Sequence, residues 1–479
     1  MARLSRLSLD RSARRAGGGR VLIGGSPLVL MRLTDAGAAL IDRIEAGAAG
    51  GAEVTGGAIT EALVDRLLDA GIVHPVPARA ERGLEDVTVV IPAFDADHDH
   101  LCALVQACAG VAEVIVVDDA SPTPIAPVPG ARLVRRSDNG GPGRARTTGL
   151  DLVATRLVAF VDTDVTVPPG WLPGLLGHLD DERVALVAPR VANGQGPGVL
   201  ARFDASRSPL DLGDQPARVR AGTRVSYVPS AAMLGVVAAI RGMDGFDPMM
   251  RVGEDVDLVW RLDEVGWRVR YEANVVVHHA PRSSGRAWLR QRYDYGTSAA
   301  SLAERHPGAL APVRVSGWSA GSWLAVAAGC PVVGGVIAAS STALLARKLR
   351  DVPDGSRVAL RLAGLGHLYA GRSLAAGVTR AWWPITIAVA LLSRRARRAA
   401  LVASTLPAAI DWWSTRPSLD PLTYIALRNL DDVAYGAGLW GGALRARSLD
   451  AIRPDLTSWP KRPRRRTPAK GRATPQADR

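Results

Sequence analysis

The sequence predicts an α/β protein built on a doubly wound, mostly parallel sheet, with a small winged-helix-like α+β module ahead of the sheet and a helical region behind it. Three observations carry that expectation. From Val87 onward, short apolar runs rich in β-branched residues (VTVVIPAF, EVIVVDD, LVAFVDTD) alternate with helical patterns. Strands that are apolar along their whole length need helices on both faces. Ahead of them, residues 1–80 carry a strand–helix–helix–strand pattern of their own, and behind them residues 315–346 contain no charged side chain. The expected units are 1–80, 81–300 and 301–460, with a basic tail at 461–479.

In the first unit, VLIGGSPLVLMRL reads as strand with a Gly-Gly-Ser-Pro turn, and Thr34 is placed to cap the apolar-periodic AGAALIDRI. A second helix at about residues 60–70 stops at Gly71, and IVHPV closes the unit as a strand. The polar, aperiodic ARAERGLED marks a linker. In the central unit a first strand leads to a helix through Ala107, and EVIVVDD follows. The Gly-rich NGGPGRARTTGL (139–150) then opens a helix, and LVAFVDTD is the third strand of the series. Such sheets gather ligands beyond the carboxyl ends of their strands, which is where the DD and DTD carboxylates stand.

The uncharged run 315–346 is long enough for a bilayer span or a tilted helical hairpin, although Pro331 and several glycines interrupt it. AWWPITIAVALLS ends at the cluster RRARR (394–398), and LVASTLPAAIDWW follows; each is short for a span and suits an interfacial or buried helix. Arginines and paired tryptophans at the ends of these pieces fit the cytoplasmic face of a cell membrane.

The net charge of +13 is concentrated at the ends, with six Arg in residues 1–20 and eight basic residues in 461–479. The tail KRPRRRTPAKGR cannot bury a core and is expected to be disordered, as a solvated terminus or a contact for anionic lipid headgroups. No aromatic-interleaved basic stretch accompanies it, so a nucleic-acid partner is not expected. Cys102, Cys108 and Cys330 show no metal spacing, and no apolar signal core precedes Leu22, which points to a reducing, cytosolic compartment.

Five constellations carry chemistry. Asp118 and Asp119 end the second strand, where a carboxylate can accept from a base or ribose or simply cap the turn. Asp162 and Asp164 leave the third strand two residues apart, so in an extended segment both project from one side, and two such carboxylates call for a cation, Mg²⁺ or Mn²⁺ bridged to phosphate. The Gly-rich turn offers backbone N–H groups to phosphate, with Arg144 or Arg146 adding charge. Glu254 and Asp255 head an apolar-periodic helix, where an acidic residue is either a general base or a cap. His278 and His279 follow YEANVVV and could bring an imidazole to the same metal.

The motifs VVIPAFD, VIVVDDAS, NGGPGRARTTGL, FVDTDV and GFDPMMRVGEDVDLVWRL, in this order, resemble the family 2 glycosyltransferases over residues 87–300. LIGGSP, VALVAPR, RSPLDLG, VSYVPSAAM, SLAERHP and LDDVAYGAGLW extend the likeness to the glycosyltransferases of the mycofactocin system along almost the whole chain. The resemblance implies a GT-A fold and an inverting, metal-dependent hexosyl transfer from a UDP-sugar. The hexose would be glucose, added β-linked and in successive steps to a peptide-derived redox cofactor. Pro92, Ala93, Asp118, Asp119, Arg146 and Asp162 would bind the nucleotide sugar. Asp162 and Asp164, with His278, would hold the metal, and Asp255 beside Glu254 would be the base. Residues 1–80 resemble the PqqD-like modules that hold peptide precursors.

Two departures stand out: Thr147 follows Arg146 where related enzymes carry Asn, and the Gln-x-x-Arg-Trp pattern of processive synthases is reduced to Arg292-Tyr293. The competing readings are a transferase for a lipid or polysaccharide acceptor, a non-catalytic nucleotide-binding scaffold, and a metal-free glycoside hydrolase with paired carboxylates.

Overall fold

The computed structural model describes residues 6–47, 50–54, 57–77, 83–194, 196–281 and 284–456. The expected basic tail 461–479 and most of the expected linker lie outside these residues.

The N-terminal module comprises β1 (Arg6–Leu9), β2 (Arg14–Ala16), β3 (Val21–Gly24), β4 (Val29–Arg32), α1 (Asp35–Ala46), α2 (Ala58–Asp69) and β5 (Val73–Val76). β1 pairs with β5, and β2-β3-β4 form a second small sheet. The polar segments RLSL and RRA carry no apolar run, so β1 and β2 have no counterpart in the expected strand order. Thr34 accepts from the Gly37 N–H at 3.2 Å and so starts α1. Leu40, Ile41 and Ile44 of α1 and Val64, Leu67 and Leu68 of α2 pack with Leu7, Leu22 and Val73 into the module's core.

The central domain runs through β6 (Val87–Ala93), α3 (His98–Ala107), β7 (Glu113–Asp118), β8 (Arg132–Arg135), α4 (Pro142–Leu152), β9 (Leu157–Val161), β10 (Val165–Thr166), α5 (Trp171–Leu176), β11 (Val184–Asn193), α6 (Val199–Ser206), β12 (Ala217–Val219), β13 (Ala232–Val236), α7 (Val237–Arg241), α8 (Glu254–Val265) and β14 (Arg268–His279). One sheet has the order β10-β14-β11-β13-β9-β6-β7-β8, with β12 added beside β14. Pleating divides each strand between two cores. Val87, Val89 and Ile91 face Leu101, Leu104 and Trp171 on one side, and Val90, Val158 and Phe160 face Ala145, Leu258 and Leu262 on the other.

The sheet is mixed, and the expectation of a mostly parallel sheet is corrected here. β6, β7, β8 and β9 pair in parallel, as do β11 and β14, whereas β13 runs antiparallel to both its neighbours and β10 and β12 run antiparallel to β14. An apolar run such as that of β13 has no direction of its own; the path from β11 through α6 and β12 returns it reversed.

Behind the sheet come α9 (Gly285–Arg305), α10 (Gly317–Ala327), α11 (Pro331–Lys348), α12 (Gly355–Ala376) with a π-turn at Gly377–Ala381, α13 (Trp383–Leu392), α14 (Arg394–Thr415) and α15 (Pro421–Ala446). The expected boundary at residue 300 falls inside α9. α9 and α15 cross at backbone contact: a Cβ on Gly296 would lie 2.0 Å from the Tyr435 carbonyl oxygen, and one on Gly438 would lie 1.9 Å from that of Tyr293. The uncharged run is the α10–α11 hairpin. Among the described residues no single helix is long and apolar enough to cross a membrane; Gly355–Ala381 and Trp383–Leu392 pass that test only together, across a 93° bend.

Candidate active site

The acidic residues meet where the strands end. After β9 the chain turns, with the Val165 N–H donating to the Asp162 carbonyl at 3.1 Å, so Asp162 and Asp164 leave a turn and not the extended segment expected. Antiparallel pairing of β10 with β14 sets Val165 opposite His279, and His279 Nε2 lies 3.1 Å from Asp164 Oδ2. Val277 and His279 face inward while His278 is exposed. The structure therefore does not bring His278 to the carboxylates; strand alternation makes His279 the one beside them.

Arg146 ties the cluster together. It is 2% exposed, donates to Asp162 Oδ1 at 2.5 Å and to Glu254 Oε1 at 3.0 Å, and lies 5.5 Å from the centre of the Phe246 ring. Burial pushes Glu254 up to about 7, with the Asp255 charge adding and Arg146 opposing. Burial and the neighbouring Asp164 likewise raise Asp162 against the pull of Arg146. Thr147, next to Arg146, shares hydroxyl contacts with the backbone of Phe246, with oxygen distances of 3.4 Å to its carbonyl and 3.3 Å to its N–H. It holds the loop that leads to α8.

Glu254, Asp255 and Asp257 occupy the first turn of α8, where the helix dipole favours negative charge. Asp255 accepts from the Ser230 N–H at 3.1 Å and the Val256 N–H at 2.8 Å, which fixes its carboxylate on the cavity wall. The preceding Gly253 has φ +84°, and a Cβ there would come within 2.9 Å of Ser298.

Asp118, Asp119, Pro92 and Ala93 gather at the ends of β6 and β7, and none of them lines that cavity. Asp118 accepts from the Ser121 N–H at 2.8 Å and pairs with Arg135. Burial raises its pKa, but these partners outweigh burial and hold it below the usual value. Asp119 accepts from Arg136 at 2.7 Å and from the N–H groups of Gly140 and Gly141 at 3.1 and 2.7 Å. The Gly-rich N–H groups expected to face phosphate thus serve a buried carboxylate. Arg144 donates to the Pro248 carbonyl at 3.1 Å, and Arg146 serves the acidic cluster.

Arg146, Asp162, Asp164, Glu254, Asp255 and His279 all line one cavity of about 830 Å³. Its far wall was not anticipated: Arg190 with Asp211, Tyr227, Arg292, Arg380, Asp431 and Tyr435 complete it. Arg190 makes a two-pronged pair with Asp211 at 2.8 Å. Arg292 of α9 bridges Asp204 at 2.5 Å and Asp431 of α15 at 2.9 Å, and Arg380 stacks 3.7 Å from the centre of the Tyr435 ring. The pair Asp431-Asp432 within LDDVAYGAGLW was the available signal. Among the described residues no three His, Cys, Asp or Glu side chains are grouped to hold a metal unaided.

Residues 88–236 match the model of glycosyl transferase family 2. The chain is 39% identical over 467 residues to a pre-mycofactocin glycosyltransferase of Mycobacterium tuberculosis (strain CDC 1551 / Oshkosh), covering 94% of this chain and 97% of that one. The chain belongs to the pre-mycofactocin glycosyltransferase family. This glycosyltransferase of the mycofactocin pathway is also 27% identical over 215 residues to the succinoglycan biosynthesis protein ExoO of Rhizobium meliloti (strain 1021), covering 42% of this chain and 62% of that one. Among solved structures it is similar to a mannosyltransferase from Pyrobaculum calidifontis in complex with GDP-Man and Mn²⁺, at 16% identity and TM-score 0.37, over 74% of this chain and 89% of that one.

Proposed function

We propose that this glycosyltransferase moves a hexose, glucose by the family resemblance, from a UDP-sugar onto a peptide-derived acceptor with inversion at the anomeric carbon. The observation that carries this reading is the convergence of Asp162, Asp164, Glu254 and Asp255, from two distant segments, on one 830 Å³ cavity. Asp255, oriented by two backbone N–H groups, takes the proton of the acceptor hydroxyl. The freed oxygen forms its bond to the anomeric carbon as the bond to the diphosphate breaks, and the electron pair leaves with the nucleotide. Arg146 bridges Glu254 and Asp162 and offsets the repulsion between their charges.

Two carboxylates on one turn of the cavity wall, Asp162 held above the usual range by burial and then by the Asp164 charge against the pull of Arg146, fit a divalent cation of the Mg²⁺ or Mn²⁺ type. Such a cation, when bound, neutralises charge on the departing diphosphate. Asp162 and Asp164 would hold it, with His279 beside Asp164.

The same reading seats the C-terminal helices on the cytoplasmic face of a membrane, lying in its plane. α13 has no buried residue, and Trp318, Leu324, Val332, Ile385, Leu391, Leu392 and Trp413 present apolar side chains to the outside beside the basic 394–398 cluster.

Purified protein, UDP-glucose and acceptor with and without chelator test the catalytic reading. Asp255→Asn is expected to lower turnover by about 10²–10⁴-fold, and Asp164→Asn to abolish the response to added metal, with both variants keeping the native unfolding transition. Turnover that survives both substitutions and chelation would overturn it.

A further inference from the structure

The N-terminal module meets the catalytic sheet across a layer of arginines. Antiparallel pairing of β12 with β14 sets Arg218 directly opposite Arg270, and Arg268 stands two residues back on the same face. Arg268 is satisfied, donating to Asp69 at 2.8 Å, Asp181 at 2.7 Å and Asp65 at 3.3 Å. Arg218, 5% exposed, donates through Nη2 to Asp263 at 2.7 Å and to the Trp267 carbonyl at 3.0 Å, but its Nε and Nη1 have no partner. Arg270 is 2% exposed, has no partner at Nε or Nη1, and forms no salt bridge among the described residues. Like charges directly opposite in an antiparallel pair repel, and a buried cation without a counter-ion is costly.

A cavity of about 130 Å³ opens beside Arg218, lined by Asp10, Ser12, Ser26, His74, Arg218 and Arg224, while Arg270, paired opposite Arg218, lies outside its lining. His74, 3% exposed, places Nε2 at 2.8 Å from Asp10 and leaves Nδ1 without a partner. Asp10, the carboxylate of this cavity, is already engaged. Burial pushes it up, but hydrogen bonds from His74 and Ser12 hold it at about 2. Ser26 Oγ accepts from the Arg224 N–H at 2.7 Å and keeps its own proton to donate. Around the cavity Asp263 serves both Arg218 and Arg220, Arg268 takes Asp65 and Asp69 of α2, and Arg224 donates to the Gln215 and Pro216 carbonyls with Asp10 4.0 Å away, so Arg270 brings the charge left over.

We propose that this cavity binds a small oxyanion of carboxylate or phosphate type, held by Arg218, Arg224 and Ser26, which neutralises the Arg270 charge and links the N-terminal module to the catalytic sheet. A monoanion matches the single excess cation, and the free guanidinium N–H groups of Arg218 supply charge-assisted donors at the cavity wall. The acceptor and donor machinery is elsewhere: this cavity and the 830 Å³ cavity share no lining residue.

The full-length protein in chloride buffer at constant ionic strength is titrated with inorganic phosphate and, separately, with acetate, followed by calorimetry and by the unfolding midpoint. Saturable binding that raises the midpoint is expected with at least one of them. Arg270→Met and Arg224→Gln are each expected to weaken it about tenfold or more, and unliganded Arg270→Met, freed of an unpaired charge, should unfold no earlier than the native protein. A response to both anions identifies a carboxylate-type site, and a response to phosphate alone identifies a phosphate site. No binding of either anion, an equal effect of chloride, or equal binding by an Arg224→Gln variant that keeps the native unfolding midpoint would overturn the proposal.

Discussion

Arg146 decides the electrostatics of the active site, because two carboxylates from segments 16 and 108 residues away share its guanidinium. Replacing it with Met leaves Asp162 and Glu254 without their cation in a buried place. The expected loss is about 3–5 kcal/mol of stability, read as a lower denaturant midpoint at unchanged slope, together with a steep fall in turnover. Its sequence neighbours suggested a phosphate ligand, since nothing local reports which distant carboxylates a helix turn will face. Asp162, Asp164, Glu254 and Asp255 were legible because their positions at a strand end and a helix start are local patterns. Asp118 and Asp119 were legible as a pair, and the turn-capping alternative describes Asp118, which accepts from the Ser121 N–H three residues on; the partners of Asp119 were not legible, for Gly140 and Gly141 lie more than twenty residues away. The choice of histidine was recoverable: counting by twos from buried Val277 gives His279.

At the scale of elements, α8 and α9 are joined by His306, whose ring lies 3.0 Å from Asp257 and 2.7 Å from Glu264. Burial lowers its pKa, but the two carboxylates outweigh burial and raise it above its ordinary value of 6.5. A raised histidine stabilises fully below its unfolded value, and that contribution disappears as pH climbs through the folded value. Stability should therefore decline as pH rises from about 6.5, and His306→Gln should flatten that part of the denaturant-midpoint profile. The seam between α9 and α15 makes a second prediction. Gly438→Ala drives a methyl into the Tyr293 carbonyl and is expected to cost about 1–3 kcal/mol, measured as a lower unfolding midpoint. Neither junction was readable beforehand. α15 buries Arg428, Asp431 and Asp432 while Leu422 and Leu444 stay exposed, the reverse of the pattern by which a surface helix announces its inner face.

For the whole molecule, the order of the parallel strands and their covering helices followed from buried apolar runs, whereas the reversed β13 and the joining of the C-terminal helices to the catalytic domain depended on contacts across hundreds of residues. The apolar outer surface of α10–α14 leads to a test on the intact protein. It should sediment with vesicles containing anionic lipid, less with neutral ones, and the combined change Ile387→Asp, Leu391→Asp and Leu392→Asp should abolish sedimentation without altering turnover on a soluble acceptor. Sedimentation unaffected by those charges would remove the membrane from the account.

The buried link from Asp204 through Arg292 to Asp431 has a practical consequence. A recombinant fragment trimmed after α9 keeps Asp162, Asp164, Glu254 and Asp255 but loses Arg380, Asp431 and Tyr435 from the cavity wall, and it strands Arg292 beside one carboxylate where it had two. A minimal working version of this enzyme has to carry residues 421–446, however much greasy surface comes with them.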